Sequence, residues 1–368
     1  MKAWTFQPYT QKQNLGDSCP WSVGWYDPEG KKKSKRIGTK SAAEKYLRKI
    51  EGELAAGVYQ SQSRKDWKSF RTEYETKILP RLKNSSGIVI KSSLEHFERI
   101  IKPSKVATIT TATIDNFIAK RQEERGKKAK SEISAATINK DLRHLKTALR
   151  IAAEWGYLPK VPKFRKVRED SRMGHVMTAE HFQAIYNACD VATMPEATGC
   201  TAGDWWRALL VFAITTGWRI REILALRRDD LDLATGAVVT RAGDNKGRRD
   251  ESDYLPEAAI EHLKRIVGFS PLVFQWFKSD KELWVEFHRI QEAAGINLDC
   301  HQRDRHECND GCHVYGFHAI RRGYATLNAE LPAPVLQRKM RHKSFTTTLR
   351  YIALADKMKK SAEKVYVP

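Results

Sequence analysis

No stretch of this 368-residue sequence stays apolar for the ~18 residues that crossing a bilayer requires. The opening residues, MKAWTFQPYT, lack the apolar core of a secretory signal. Cysteine is scarce, with six in the chain, which excludes a disulfide-built scaffold and fits a reducing, intracellular setting. No internal repeat and no low-complexity tract is present. Acidic residues are also short, 44 against 65 lysines and arginines, leaving a formal charge of +21. Such an imbalance opposes compaction unless an anionic partner screens it, and it speeds encounter with polyanions. Nucleic acid is the expected partner. A membrane surface is disfavoured, because no helical segment pairs one basic face with a wide apolar one.

What is there divides into three sections, in a chain long enough for two or three domains. Residues 1–60 read as a small sheet with a helix behind it. A strand at Trp21–Tyr26, a turn at Asp27–Gly30 and a basic return strand are followed by SAAEKYLRKIEGELAAG, with Ser41 and Glu44 spaced as a capping box and Gly57 as a stop. Tyr46, Leu47, Ile50 and Leu54 share a face of that helix. The basic hairpin is either a groove-binding ribbon or a solvated lysine-rich turn. Residues 63–158 read as four helices, the clearest being SAATINKDLRHLKTALRIAAEWG, where Ile138, Leu142, Leu145, Leu149 and Ala152 recur on one face. Residues 159–176 are proline-containing and basic, either a strap across a phosphate backbone or an exposed linker. Residues 177–368 open with a helix capped by Thr178. They continue through WWRALLVFAITTGWRIREILAL, the most apolar helical stretch, then a hairpin and further helices.

Several residues carry chemistry. Arg219 and Glu222 lie three apart among apolar neighbours, so the carboxylate can hold the guanidinium while leaving donors for a ligand. A buried structural ion pair is the alternative. His318 and Arg321, in YGFHAIRRGYATL, are likewise three apart. HKSFTTTLRYIAL adds His342 and one phenol, Tyr351. A phenol is a poor nucleophile until its surroundings favour the anion. Two arginines, two histidines and a tyrosine match what phosphoryl transfer needs: clamps for non-bridging oxygens, proton carriers and a nucleophile.

These segments resemble the catalytic boxes of the tyrosine recombinase (phage integrase) family. TGWRIRE is similar to its first arginine box, DNKGRRDESDYLP to its lysine-bearing hairpin, FHAIRRGYAT to its second box and MRHKSFTTTLRY to its third. The resemblance implies Arg219, Lys246, His318, Arg321, His342 and Tyr351 as the catalytic set, Tyr351 as nucleophile and Glu222 as support. Arg322 and Gly323 depart from the family's common His-Thr, and Arg341 stands where glycine is usual. The implied fold is mainly α with small β-sheets. It comprises an N-terminal three-stranded-sheet-plus-helix module, a four-helix, SAM-like core-binding domain and a mixed α/β catalytic domain. The implied activity is site-specific recombination of double-stranded DNA through a 3′-phosphotyrosyl link, integrating or excising a mobile element without ATP or a catalytic cofactor. The implied partners are a homotetramer on paired sites and DNA-bending accessory proteins, with no membrane, in the cytoplasm at the nucleoid. A type IB topoisomerase-like enzyme and a catalytically silent regulator of the same fold are the alternatives.

One motif lies outside these boxes. LDCHQRDRHECNDGCHVYGFH places Cys300, Cys308 and Cys312 beside His301, His306 and His313. Thiolates and imidazoles so grouped suit tetrahedral zinc, with Cys300, His306, Cys308 and Cys312 as the expected ligands of a structural Zn. A polar loop with unlinked thiols is the other reading. Cys19, Cys189 and Cys200 read as structural or incidental.

Overall fold

The computed structural model describes residues 3–57, 59, 63–126, 131–169, 174–196, 199–243, 249–266, 268, 270–300, 306–342, 344–349 and 351–352. The chain divides into two compact units, Met1–Asp170 and Ser171–Pro368.

The first unit begins with an antiparallel sheet of β1 (Ala3–Phe6), β2 (Trp21–Tyr26) and β3 (Lys32–Gly38), in that order. A short helix, α1 (Tyr9–Leu15), interrupts the path from β1 to β2. The central strand is covered on both faces. Val23 and Trp25 pack with Ile50 and Leu54 of helix α2 (Lys40–Ala55). On the other face the Trp4 indole lies so close to Gly24 that a Cβ there would sit 2.6 Å from it, so only glycine fits. The return strand β3 leaves Lys32, Lys35 and Arg36 exposed. The expected capping box at Ser41 and Glu44 is not formed. Thr39, extended at ψ 155°, caps α2 by accepting from the Ala42 amide at 3.3 Å, so the helix starts directly after β3.

Four further helices complete this unit: α3 (Trp67–Lys77), α4 (Asn84–Ile101), α5 (Thr111–Gln122) and α6 (Ala135–Glu154). The α6 stripe read from sequence is buried throughout, against Phe70, Leu94, Phe97 and Phe117. Among these apolar side chains sits a buried ion pair, Asp141 with Arg121. Asp141, fully buried, takes hydrogen bonds from Arg121 Nε (3.1 Å) and Ser93 Oγ (2.8 Å), with His96 Nδ1 at 3.0 Å. Removing one partner from a buried pair strands the other charge. Arg121→Met is therefore expected to lower unfolding free energy by roughly 3 kcal/mol in urea titrations. Adding Asp141→Asn recovers part of that loss.

The basic stretch after α6 is neither a bare linker nor wholly exposed. Asn139 Nδ2 donates to Val167 O at 2.8 Å, and the Val167 amide donates to Asn139 Oδ1 at 2.9 Å. Arg165 pairs with Asp115, while Phe164 and Val167 pack against the helical core.

The second unit is built around α8 (Ala202–Thr216), whose Trp205, Trp206, Leu209, Leu210 and Phe212 are buried. Around it lie α7 (Ala179–Asn187, capped by Thr178 as expected), α9 (Ile220–Leu224), α10 (Glu257–Arg265) and α11 (Asp280–Ala293). The last helices with full bounds are α12 (Phe317–Leu327) and α13 (Ala333–Lys339). A two-stranded antiparallel hairpin, β4 (Ala237–Thr240) and β5 (Glu251–Tyr254), precedes α10. Residues 345–349 and 351–352 are helical. The Trp206, Phe287 and Phe317 rings stack nearly parallel and tie α8, α11 and α12 together. The long apolar helical stretch forms two helices, α8 and α9. Gly217, at φ 64°, closes α8 by donating its amide to Ala213 O at 2.9 Å, and the chain turns before α9. Among the described residues no helix is long and apolar enough to cross a membrane.

Candidate active site

The turn after α8 places the first arginine. Arg219 caps α9 from outside the helix: its amide donates to Glu222 Oε2 at 3.2 Å and its Nη1 donates to Glu222 Oε1 at 2.8 Å. The expected pairing is present, although Arg219 precedes the helix instead of lying on it. Glu222 is only 3% exposed, so its charge needs these donors.

Arg321, in the second turn of α12, points inward and is 4% exposed. Its Nη1 donates to Gly217 O at 2.6 Å and its Nη2 to Met340 O. One guanidinium thus joins the end of α8, two residues before Arg219, to the end of α13, two residues before His342. Burial, reinforced by the positive charge of Arg219, lowers the Arg321 pKa to about 10, which still leaves a cation at neutral pH. His318 shares that helix but is exposed in its first turn.

His342 and Tyr351 face each other, their rings stacked at 5.6 Å with 16° between planes. Tyr351 is half-buried against Tyr324, Leu336 and Met340, within electrostatic reach of Arg321. The backbone of His342 is held at both ends: its amide donates to Gln337 O at 3.1 Å, and Gln337 Nε2 donates to its carbonyl at 3.0 Å. Its Nδ1 lies 3.0 Å from the hydroxyl of fully buried Thr348. With that hydroxyl donating, the ring proton resides on Nε2.

Burial, then the charges of Arg321 and Arg219, push the His342 pKa down to about 4. A free histidine protonates near 6.5. Between those values the unfolded chain takes up a proton that the folded chain refuses, so this contribution is full above pH ~6.5 and is lost as pH falls towards ~4. Urea midpoints measured from pH 7 to pH 4.5 are expected to fall more steeply for the native chain than for His342→Gln. Equal slopes would remove His342 as the cause.

Arg341 occupies the centre of this arrangement. Its backbone is left-handed, φ 49°, where a side chain is strained. The guanidinium lies 4.0 Å over the Trp218 ring. Nε is 3.1 Å from Glu251 Oε2, and Nη1 is 3.1 Å from Thr240 Oγ1 and 3.5 Å from Glu222 Oε2. Nη2 is buried and finds no partner among the described residues. Arg341 therefore binds the β4–β5 hairpin to the carboxylate that holds Arg219. Lys246, expected in that hairpin, lies outside the described residues. Thr348, Trp218, Thr240 and Glu251 were not singled out from sequence. Only the run of threonines before Tyr351 hinted at one of them.

The cysteine–histidine motif also closes up. One donor atom from each of Cys300, His306, Cys308 and Cys312 lies within 4.8 Å of the others, a grouping able to hold a metal ion. His313 turns away, its Nδ1 2.8 Å from Leu298 O, and His301 lies outside the described residues.

A Sinorhizobium fredii protein provisionally named integrase/recombinase y4rF is 29% identical over 157 residues, 40% of this chain and 35% of that protein. Tyrosine recombinase XerA of Pyrococcus furiosus is 24% identical over 167 residues, 42% of this chain and 52% of XerA. The chain thus matches about half or less of the length of these curated relatives. In fold it is similar to lambda integrase, solved as a dimer on a COC′ core site. That likeness has a TM-score of 0.59 at 18% identity and covers 95% of this chain and 94% of that one. Lambda integrase as a tetramer on a Holliday junction matches with TM-score 0.58, 18% identity and 94% of each chain. The sequence model of the phage integrase family matches residues 175–358, the stretch that holds Arg219, Arg321, His342 and Tyr351, and the chain belongs to that family.

Proposed function

We propose that this chain is a site-specific recombinase that breaks and rejoins double-stranded DNA through Tyr351. The observation that carries the reading is the meeting of Arg219, Arg321, His342 and Tyr351 from distant segments: Arg321 is bonded to the turns before Arg219 and His342, and His342 stacks on Tyr351. In the reaction Tyr351 Oη attacks a phosphodiester phosphorus and the bond to the 5′ oxygen breaks. That oxygen leaves as a 5′-hydroxyl and the 3′ phosphate stays on the tyrosine. Attack by a 5′-hydroxyl from a second duplex reverses the step and exchanges strands, so bond energy is conserved. Arg219 and Arg321 neutralise the extra charge on phosphorus, and neutral His342 donates a hydrogen bond from Nε2. Lys246 delivers the proton to the leaving oxygen, His318 assists proton movement, and Glu222 fixes Arg219. Four copies on paired sites are the assembly in which strands are exchanged, and DNA-bending proteins are its further candidate partners. The exposed lysines of β3 and the basic surface of the four-helix region are its further DNA contacts. A separate N-terminal module (1–60), helical DNA-binding region (63–158), connecting stretch (159–176) and catalytic region (177–368) are the matching division. Zinc plays no part in the transfer itself.

The test is a nicked DNA carrying the binding site, found first among fragments flanking the encoding gene. Loss of the short piece beyond the nick traps a covalent protein–DNA adduct on a denaturing gel. Absence of adduct on a confirmed site favours the silent regulator. Relaxation of supercoiled plasmid lacking any paired site favours the topoisomerase-like alternative.

A further inference from the structure

The geometry points to a structural zinc ion held by Cys300, His306, Cys308 and Cys312, bracing the segment that leads into α12. His306 Nε2 lies 3.7 Å from Cys300 Sγ, 3.8 Å from Cys308 Sγ and 3.2 Å from Cys312 Sγ. Bond lengths of about 2.3 Å to sulfur and about 2.0 Å to nitrogen, set at tetrahedral angles, give sulfur–nitrogen edges of about 3.5 Å. The three measured separations bracket that edge. Hydrogen bonding gives a poorer account, since one imidazole nitrogen offers a single proton or lone pair and cannot serve three sulfurs. None of the three cysteines forms a disulfide, so no covalent bond draws them together. Three thiolates and one imidazole select a soft or borderline ion over calcium or magnesium. Four protein donors close the shell, which marks a structural site with no position left for a reacting water. Binding displaces the three thiol protons to solvent.

The position in the fold gives the ion a purpose. Between Leu298 and His313 the sequence holds no aliphatic or aromatic hydrocarbon side chain that a core could use to order it. Its stem is tied where the Leu298 amide donates to His313 O at 2.8 Å and His313 Nδ1 meets Leu298 O. His306, 8% exposed, is buried within it. Beyond the stem, Gln291 grips the Tyr315 backbone through both its amide atoms, at 3.1 and 2.7 Å, and Trp284 packs against Phe317 at 5.0 Å. Gly316 then caps α12, which carries His318 and Arg321. A metal crosslink holds such a long polar segment by removing the freedom of its unbound state. The consequence for DNA cleavage rests on the recombinase reading, whereas the metal site does not.

The 368-residue chain produced with zinc supplied is expected to carry one zinc per chain by mass spectrometry of the metal content. Cobalt(II) in its place should show the absorption of a tetrahedral thiolate site. Cys308→Ser and Cys312→Ser should each fall below about a tenth of an equivalent, while Cys200→Ser keeps the full equivalent. Chelation should lower Tm by about 5 °C or more and admit protease between residues 298 and 313, both reversed by Zn²⁺. Folded protein with no zinc, or with zinc retained in the Cys308→Ser/Cys312→Ser variant, overturns the site. Iron or copper on the same ligands overturns the identity of the ion. Zinc that can be removed without change in Tm or proteolysis overturns the bracing role. A zinc-loaded chain that never cleaves DNA leaves the metal site standing and sinks the recombinase reading instead.

Discussion

Tyr351→Phe is expected to abolish the covalent adduct on nicked DNA, a loss of roughly 10⁴-fold or more, while DNA binding stays unchanged. The substitution removes one oxygen and keeps the ring. The ring is what packs against Tyr324, Leu336 and Met340 and stacks on His342. Stability should therefore move by no more than about 0.5 kcal/mol, as at other positions where packing is kept. This separation of chemistry from folding makes the variant informative. Residual adduct in Tyr351→Phe would mean that another nucleophile operates. Loss of binding along with the adduct would mean that the phenol serves recognition.

Replacing Arg341 should have the second largest effect, and two substitutions separate its two roles. Arg341→Ala removes the ion pairs to Glu222 and Glu251, the Thr240 hydrogen bond and the stack on Trp218, but leaves a side chain in the left-handed backbone. Glu222 keeps its pairing with Arg219 but loses a second cation, and with the Thr240 bond and the Trp218 stack also gone the loss is expected to be about 2 kcal/mol. Arg341→Gly loses the same contacts while relieving the backbone, so it should be more stable than the alanine variant by about 1 kcal/mol. Both should slow adduct formation by about 10²-fold, because the β4–β5 hairpin and Arg219 lose their common tie. Denaturant melts of the two variants and single-turnover cleavage rates check this. Native cleavage in Arg341→Gly would show that the arginine is a family departure without catalytic consequence.

How much of this could be read beforehand differs by element. Helix faces obey local periodicity, so the buried stripe from Ile138 to Ala152 was visible in the sequence, as were the order of the family boxes and the mainly helical fold. Cap choice was less legible. Thr39 and Ser41 are both good caps, and only the end of β3 at Gly38 decides between them. The division of the apolar stretch into α8 and α9 was carried by a single glycine, which composition does not mark as a stop within so hydrophobic a run. Contacts between distant segments were least accessible. That Val167 bonds to Asn139, or that the Arg341 guanidinium covers Trp218, depends on how helices meet, and no spacing records it. The cysteine–histidine cluster is an instructive middle case: residue types singled out the four side chains, and only the fold shows that one donor atom of each lies within 4.8 Å of the others.

The anchoring of Arg321 has a consequence for mutational tolerance. Its guanidinium donates to two peptide oxygens, those of Gly217 and Met340. No exchange of a neighbouring side chain deletes a main-chain carbonyl, so position 340 is free to vary among hydrophobes of similar volume without disarming the guanidinium. Position 217 has no such latitude, since its geometry admits little besides glycine. Drift around this arginine is thus permitted on one side and forbidden on the other.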